Sequence, residues 1–201
     1  MSLTPAAFYF DLASPLAYLA AERVLHELGV AAEWRGVLER DLPGPDPFAA
    51  FRCADDRAAA LERVERRAAE LGLQPLRWPE PFPFDSTLAM RVATYAHSIG
   101  RTVPFAQAAF RQAFAGGHSL ADPDFVLIAA AACEMHPTAV LKAAERPALA
   151  ERLAAATAAA AAIGVGEVPA IALGDRVFQG ERGLEDAAAH LGNAALAQAP
   201  R

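Results

Sequence analysis

Strand-like segments occur only near the two ends of this 201-residue chain. Residues 6–12 and 31–38 are short runs rich in apolar and aromatic side chains, and a helical pattern lies between them. A strand, a helix and a strand in so short a stretch predict a βαβ unit with a parallel pair of strands. The β pattern returns only at 168–179, where two short segments flank Gly174 and Asp175, which predict a hairpin turn.

The long intervening stretch is helical in pattern, and it begins after a cluster of prolines and glycine at 43–47. A last helical pattern follows the hairpin. The order βαβ, many helices, then ββα predicts an α/β fold in which both ends of the chain form one thioredoxin-like sheet. We therefore expect a discontinuous thioredoxin-like domain, residues 1–40 and 164–201, and a large all-helical insertion, residues 41–163.

The composition excludes several classes of function. With 24 acidic and 18 basic residues the net charge is -6, so a broad phosphate-binding surface for nucleic acid is not expected. The apolar runs fall short of the roughly 20 residues of a membrane span. The start of the chain has no secretory signal pattern, which favours a cytoplasmic protein. The five histidines and two cysteines have no metal-site spacing, and Cys53 is either a modifiable thiol or an incidental residue.

Ser14 is the first candidate site residue, because it lies between the first strand and a helix that begins at Pro15. Ligands of open α/β sheets bind at the carboxyl ends of strands, where a helix start offers unpaired N–H groups. Ser14 could cap the helix, which its spacing alone favours, or stabilise a thiolate placed there. A nucleophilic serine is not expected, since no Gly-x-Ser-x-Gly motif surrounds it.

The second candidate is Val168-Pro169, at the start of the returning strand. Proline lacks a backbone N–H, so the position requires either a cis bond or an edge strand. A cis bond would leave the Val168 backbone free to pair with an extended peptide. An ordinary trans proline is slightly favoured by the local sequence.

Several of these segments together resemble a known family. The segment FYFDLASPLAYL at 8–19 resembles the opening of 2-hydroxychromene-2-carboxylate isomerases, and further matches occur at 82–91, 110–124 and 166–184. These isomerases belong with kappa-class glutathione transferases in the DsbA-like branch of thioredoxin folds. The resemblance covers essentially the whole chain in the right order, and its opening and closing motifs are the specific ones.

The resemblance implies glutathione as a cofactor. Ser14 would face the glutathione sulfur and donate to its thiolate, in the place of the attacking cysteine of dithiol relatives. Val168, before a cis Pro169, would bind the cysteinyl backbone. Glu181 would lie near the ammonium group of the γ-glutamyl end of glutathione, and Arg182 near its carboxylate. Charged residues that only flank the start of a helix would have the same pattern. The glutathione site implied in this way comprises Ser14, Pro15, Val168, Pro169, Glu181 and Arg182.

The substrate side is less well matched. Phe84 and Asp85 would lie near the substrate, although Phe84 is as well suited to the core, and Asp85 stands where the family usually has asparagine. The family's asparagine-bearing loop after the second strand corresponds here only to 43–48, without asparagine. The resemblance implies a glutathione-dependent isomerase that forms a homodimer. A kappa-like transferase and a non-catalytic glutathione- or peptide-binding module remain alternatives, whereas Ser14 disfavours a dithiol oxidoreductase.

Overall fold

The computed structural model describes residues 6–48 and 51–198. The amino-terminal elements are β1 (Ala6–Phe10), α1 (Pro15–Ala21), α2 (Val24–Glu27) and β2 (Ala32–Gly36), followed by a 3₁₀ turn at Glu39–Asp41. The central helices are α3 (Ala54–Glu70), α4 (Thr87–Ser98), α5 (Thr102–Phe110) with a π-helical turn at Arg111–Ala115, α6 (Pro123–Ala131), α7 (Pro137–Ala144) and α8 (Pro147–Ala162). The chain returns through β3 (Ala170–Leu173) and β4 (Arg176–Gln179) to α9 (Gly183–Gln198).

Both ends of the chain contribute to one four-stranded sheet with the order β2-β1-β3-β4. β1 is parallel to β2, with Phe8 opposite Trp34, and antiparallel to β3, with Phe8 opposite Ile171. The predicted βαβ unit, the carboxyl-terminal hairpin and the thioredoxin-like sheet are therefore confirmed. The division of the chain into two domains stays a prediction.

The core lies on both faces of β1, whose five residues are all buried. On one face Phe8 and Phe10 pack against Trp34, with ring centroids 4.9 and 5.8 Å apart. Helices α4 and α8 pack against β2, and the Met90 side chain of α4 contacts Gly36 closely enough that a Cβ there would collide with it. This packing holds the carboxyl ends of β1 and β2 side by side.

Two predicted helical stretches are interrupted. The helix expected over 15–28 ends at Ala21 and a further short helix begins at Val24. The pattern over 137–163 forms two helices, because Pro147 begins a new helix and cannot continue the preceding one. Among the helices of the described residues, none is long and apolar enough to cross a membrane.

Candidate functional site

Ser14 lies at the junction of β1 and α1. Its Oγ accepts a hydrogen bond from the Ala17 N–H at 3.4 Å, and its own N–H donates to the Asp11 carbonyl at 3.1 Å. Pro15 is the first residue of the helix. Ser14 therefore caps α1, as its spacing favours, and only 2% of the residue is exposed. A ligand can reach its hydroxyl only if a neighbouring side chain moves.

The bond between Val168 and Pro169 is cis, as the resemblance implies and contrary to what the local sequence favours. Pro169 is buried, and its carbonyl accepts from the Gly180 N–H at 2.9 Å. The expectation that the Val168 backbone is free is wrong for its N–H. That N–H donates to Oε1 of Glu39 at 3.4 Å, and Val168 is buried.

Glu39 joins the two predicted parts of the site. Its carboxyl accepts from the Val168 N–H at 3.4 Å, and its own N–H donates to Oδ2 of Asp11 at 2.9 Å, the residue whose carbonyl accepts from the Ser14 N–H. Sequence reasoning missed this residue. A usable signal existed, because Glu39 follows closely after β2, and the carboxyl ends of the parallel strands β1 and β2 lie at the same edge of the sheet.

Glu39 and Asp11 form a buried pair of carboxyl groups. Burial raises the pKa of Asp11, but its oxygens accept from the N–H groups of Ala13 and Glu39 and from Ser86, which favours its charged form. Burial, and then the charges of Asp11 and Asp46, raise the pKa of Glu39 to about 9. The pKa of each carboxyl group is therefore raised overall, and that of Glu39 lies above neutral pH.

A cavity of about 190 Å³ opens beside this pair. Its walls are Asp11, Ala13, Glu39, Arg40, Asp46, Phe48, Pro83, Phe84, Asp85 and Ser86. Ser14, which is 2% exposed, is not among these walls. Arg40 is on the rim, where it donates to Oδ1 of Asp85 at 2.8 Å and to Oγ1 of Thr87 at 2.7 Å.

Both predicted substrate residues line this cavity. Phe84 is also buried against Phe114, with ring centroids 6.5 Å apart, so it belongs both to the core and to the cavity wall, and its contact with a substrate stays a prediction. Asp85 lies just before α4, and its carboxylate accepts from the N–H of Thr87, the first residue of that helix, at 2.9 Å. Asp85, which stands where the family usually has asparagine, therefore both binds the start of α4 and lines the cavity.

Glu181 and Arg182 lie elsewhere. They are exposed at the start of the last helical segment, and neither is among the described residues that line the cavity. Glu181 lies 3.8 Å from Nε of Arg67, whose guanidinium also donates to Glu185 at 2.6 Å. The chain connection through Gly180 keeps the pair near Pro169, but the Glu181 side chain faces Arg67 of α3.

A second, larger cavity of about 370 Å³ lies between β2, α4 and α8 and contains none of the predicted site residues. Its charged groups are paired with one another: Arg35 donates to Glu33 at 2.7 Å and to the Tyr9 hydroxyl at 3.3 Å. The smaller cavity is the better candidate site, because it adjoins the buried pair of carboxyl groups and the cis proline loop.

The cysteines take no part in the site. Cys53 is exposed, and its Sγ caps α3 by accepting from the Asp56 N–H at 3.4 Å. Cys133 is buried in the helical region. Across the part of the chain that the structure describes, no group of three or more histidine, cysteine or acidic side chains could hold a metal ion.

Solved structures resemble this arrangement over nearly the whole chain. A 2-hydroxychromene-2-carboxylate isomerase has a TM-score of 0.81 and 20% identity, and the alignment covers 98% of this chain and 100% of the isomerase. A probable DsbA oxidoreductase from Streptomyces coelicolor has a TM-score of 0.77 and 21% identity, with 98% and 92% covered. The cytosolic disulfide reductase DsbM from Pseudomonas aeruginosa, with GSH, has a TM-score of 0.65 and 15% identity, with 96% and 100% covered.

At sequence identities of 15–21%, these similarities show a shared fold. The search of the curated proteins found no significant match. In contrast, a sequence model of a protein family matches this chain: the DSBA-like thioredoxin domain matches residues 7–192, which include the sheet, the cis proline and the central helices. The chain therefore belongs to the DsbA-like thioredoxin domain family.

Proposed function

We propose that this chain is a glutathione-dependent isomerase acting on 2-hydroxychromene-2-carboxylate or a similar conjugated aromatic-derived acid. The observation that carries the proposal is a serine, Ser14, at the start of α1 beside the cis Val168–Pro169 bond. Dithiol relatives have their attacking cysteine at this position, and neither Cys53 nor Cys133 lies there. The thiol of the reaction would then come from a ligand.

The residues around Ser14 suit a thiol ligand. The Ser14 hydroxyl can donate to a thiolate and so favour its charged form. The Val168 N–H is held by Glu39 through a long hydrogen bond of 3.4 Å, which is weak enough for a ligand backbone to replace. Rotation of the Glu39 side chain is therefore the movement that would open the Val168 N–H to glutathione.

Glutathione would supply a thiolate that adds reversibly to the substrate and is regenerated at the end. The protein would contribute in three ways. Ser14 would stabilise the thiolate, Val168 would hold the ligand backbone, and the adjacent cavity would orient the substrate. The γ-glutamyl end would be held by Glu181 and Arg182, with Glu181 exchanging its contact with Arg67 for the ligand's ammonium group.

The cavity suits a small aromatic acid. Phe48 and Phe84 provide apolar walls for a ring, and the Arg40 guanidinium on the rim provides a cation for a carboxylate. Arg40 is about half exposed and already bound to Asp85. A substrate carboxylate would therefore share the guanidinium with Asp85 and Thr87.

A glutathione titration of wild type and Ser14→Ala tests the role of Ser14. The ultraviolet absorbance of the thiolate is followed against pH for each protein. We expect wild type to lower the pKa of the bound thiol and Ser14→Ala to lose most of that effect. Equal thiolate absorbance in the two proteins contradicts the proposal.

The nature of the product distinguishes the isomerase from a transferase. Wild type is incubated with glutathione and 2-hydroxychromene-2-carboxylate, and the product is weighed by mass spectrometry. We expect a product with the mass of the substrate and unchanged total glutathione. A lasting adduct contradicts isomerisation and favours a kappa-like transferase, whereas glutathione binding without any turnover favours a non-catalytic module.

A further inference from the structure

We propose that Glu39 is the proton donor and acceptor of this site, acting on the substrate in the cavity beside it. The inference deepens the proposed function and rests on it. No other described carboxyl group both accepts from the Val168 N–H and lines the cavity. Glu39 therefore lies between the position proposed for the thiolate and the position proposed for the substrate.

Two hydrogen bonds position Glu39 before a ligand binds. The Glu39 N–H donates to Oδ2 of Asp11, and its Oε1 accepts from the Val168 N–H. These contacts come from the end of β1 and from the cis proline loop, which lie on two sides of the side chain. Glu39 is 8% exposed, so it faces the cavity and not bulk solvent.

The charged groups near Glu39 favour its neutral form. Asp11 at the end of β1 and Asp46 in the loop after β2 are both acidic, and they oppose ionisation of Glu39. Arg40, next along the chain, is the nearby cation, and it is neutralised by Asp85 across the cavity. A proton on Glu39 relieves the repulsion among these carboxyl groups.

The proton transfer balances without any further reactant. When the carbon–sulfur bond forms, the electron pair of the substrate's conjugated double bond moves toward its carbonyl group. The O–H bond of Glu39 breaks, and its proton goes to the substrate atom that gains this pair, which leaves Glu39 as a carboxylate. As the carbon–sulfur bond breaks, the Glu39 carboxylate takes a proton back, so the site returns to its starting state.

Infrared spectroscopy tests whether Glu39 holds the proton, with no need for turnover. Spectra of wild type are compared with those of Glu39→Gln at about pH 7. We expect a neutral-carboxyl stretching band that Glu39→Gln lacks and that disappears from wild type as the pH rises through about 9. The control Glu62→Gln, which alters an exposed side chain of α3, should retain the band.

Steady-state kinetics test the transfer itself. The probe is 2-hydroxychromene-2-carboxylate at saturating glutathione, from about pH 6 to pH 10. We expect wild-type kcat to fall above the pKa of Glu39, and Glu39→Gln to lower kcat by about 10²-fold and to remove this alkaline fall. The dissociation constant for glutathione should stay close to that of wild type, because the neutral amide is similar in size to the neutral carboxyl group and can be displaced from the Val168 N–H in the same way.

The outcomes separate the two proposals. Wild type that binds no glutathione by calorimetry overturns the proposed function and with it the catalytic role of Glu39. Glutathione binding and turnover with an ionised Glu39 at about pH 7 overturn only the present inference. Glu39→Gln that keeps wild-type kcat and its pH profile also overturns it, since a purely structural side chain would behave in that way.

Discussion

The Gly44 N–H donates to the carbonyl oxygen of Gly166 at 2.8 Å, which joins the loop after β2 to the loop before the cis proline. The Gly166 N–H in turn donates to Oε1 of Gln179 on β4 at 2.8 Å. The two loops that carry Glu39 and Val168 are thus fastened to each other and to the sheet. The position of Glu39 against the Val168 N–H depends on this connection.

Gly44→Ala should destabilise the protein, because a Cβ at this position would collide with the Gly166 carbonyl group. Backbone atoms cannot turn aside as a flexible side chain can, so the two loops must separate. We expect a loss of about 1–3 kcal/mol in the free energy of unfolding, measured by urea denaturation. Gly192→Ala is the matched control, since α9 has open space there, and alanine should stabilise this helix by about 0.5–1 kcal/mol. Equal effects of the two substitutions contradict the argument.

Glu39 should make the protein less stable as the pH rises. The pKa of Glu39 in the folded protein, about 9, lies above the ordinary value of 4.5, so the folded state binds this proton more tightly than the unfolded state. Its contribution is fully present below the ordinary pKa and is lost as the pH rises through about 9. We expect the free energy of unfolding of wild type to fall relative to Glu39→Gln between about pH 5 and pH 9, by at most about 1.4 kcal/mol per pH unit. Parallel stability curves for the two proteins contradict the burial of a neutral carboxyl.

Much of the fold could be predicted because its signals are local. The apolar runs around Phe8 and Ile171, and the turn at Gly174, each lie within a few residues and predict their own strands or hairpin. The boundaries were less accurate where proline starts a new helix within a continuous apolar pattern, as at Pro147. Ser14 and the cis bond before Pro169 were predicted from motifs that combine with a family resemblance.

The missed features are contacts between residues far apart in the chain. Glu39 and Val168 are brought together by the sheet, and a pattern in one segment carries no information about the other. The many charges of α3 are typical of a solvated helix face, but the structure pairs Arg67 of this helix with Glu185 of α9. A charge pattern alone does not distinguish a solvated side chain from one that joins two helices.

Glu185→Gln should weaken the packing of α9 on the rest of the protein. Oε1 of Glu185 accepts from Arg23 at 2.8 Å and from Arg67 at 2.6 Å, and Arg23 is buried. Burial raises the pKa of Glu185, but hydrogen bonds from the backbone and from Arg23 outweigh it and lower the pKa overall. Its stabilisation is therefore present above the ordinary pKa and is lost as the pH falls through the lowered value.

The expected loss for Glu185→Gln at neutral pH is about 1–3 kcal/mol in the free energy of unfolding, since two guanidinium groups lose a charged acceptor. The difference from wild type should shrink in acid. Glu62→Gln is the control: its carboxyl is 75% exposed and 4.0 Å from Arg66, so it should change stability by less than about 0.5 kcal/mol. Chemical denaturation at neutral and acidic pH measures both, and a pH-independent loss contradicts the role of the charge.

Arg40→Gln should separate recognition of a substrate carboxylate from the chemistry. Arg40 lies on the cavity rim, and the loss of its charge should raise KM for 2-hydroxychromene-2-carboxylate by about tenfold, because a charged hydrogen bond contributes about 1.5–3 kcal/mol in a protected site and less on an exposed rim. Two conjugated electrophiles, one with a carboxylate and one neutral, are compared by steady-state kinetics. Arg52→Gln, which removes a similar charge at a position outside the cavity walls, is the control. An equal loss for both electrophiles would mean that Arg40 acts by holding Asp85 and Thr87 in place, because only a carboxylate contact distinguishes the charged compound from the neutral one.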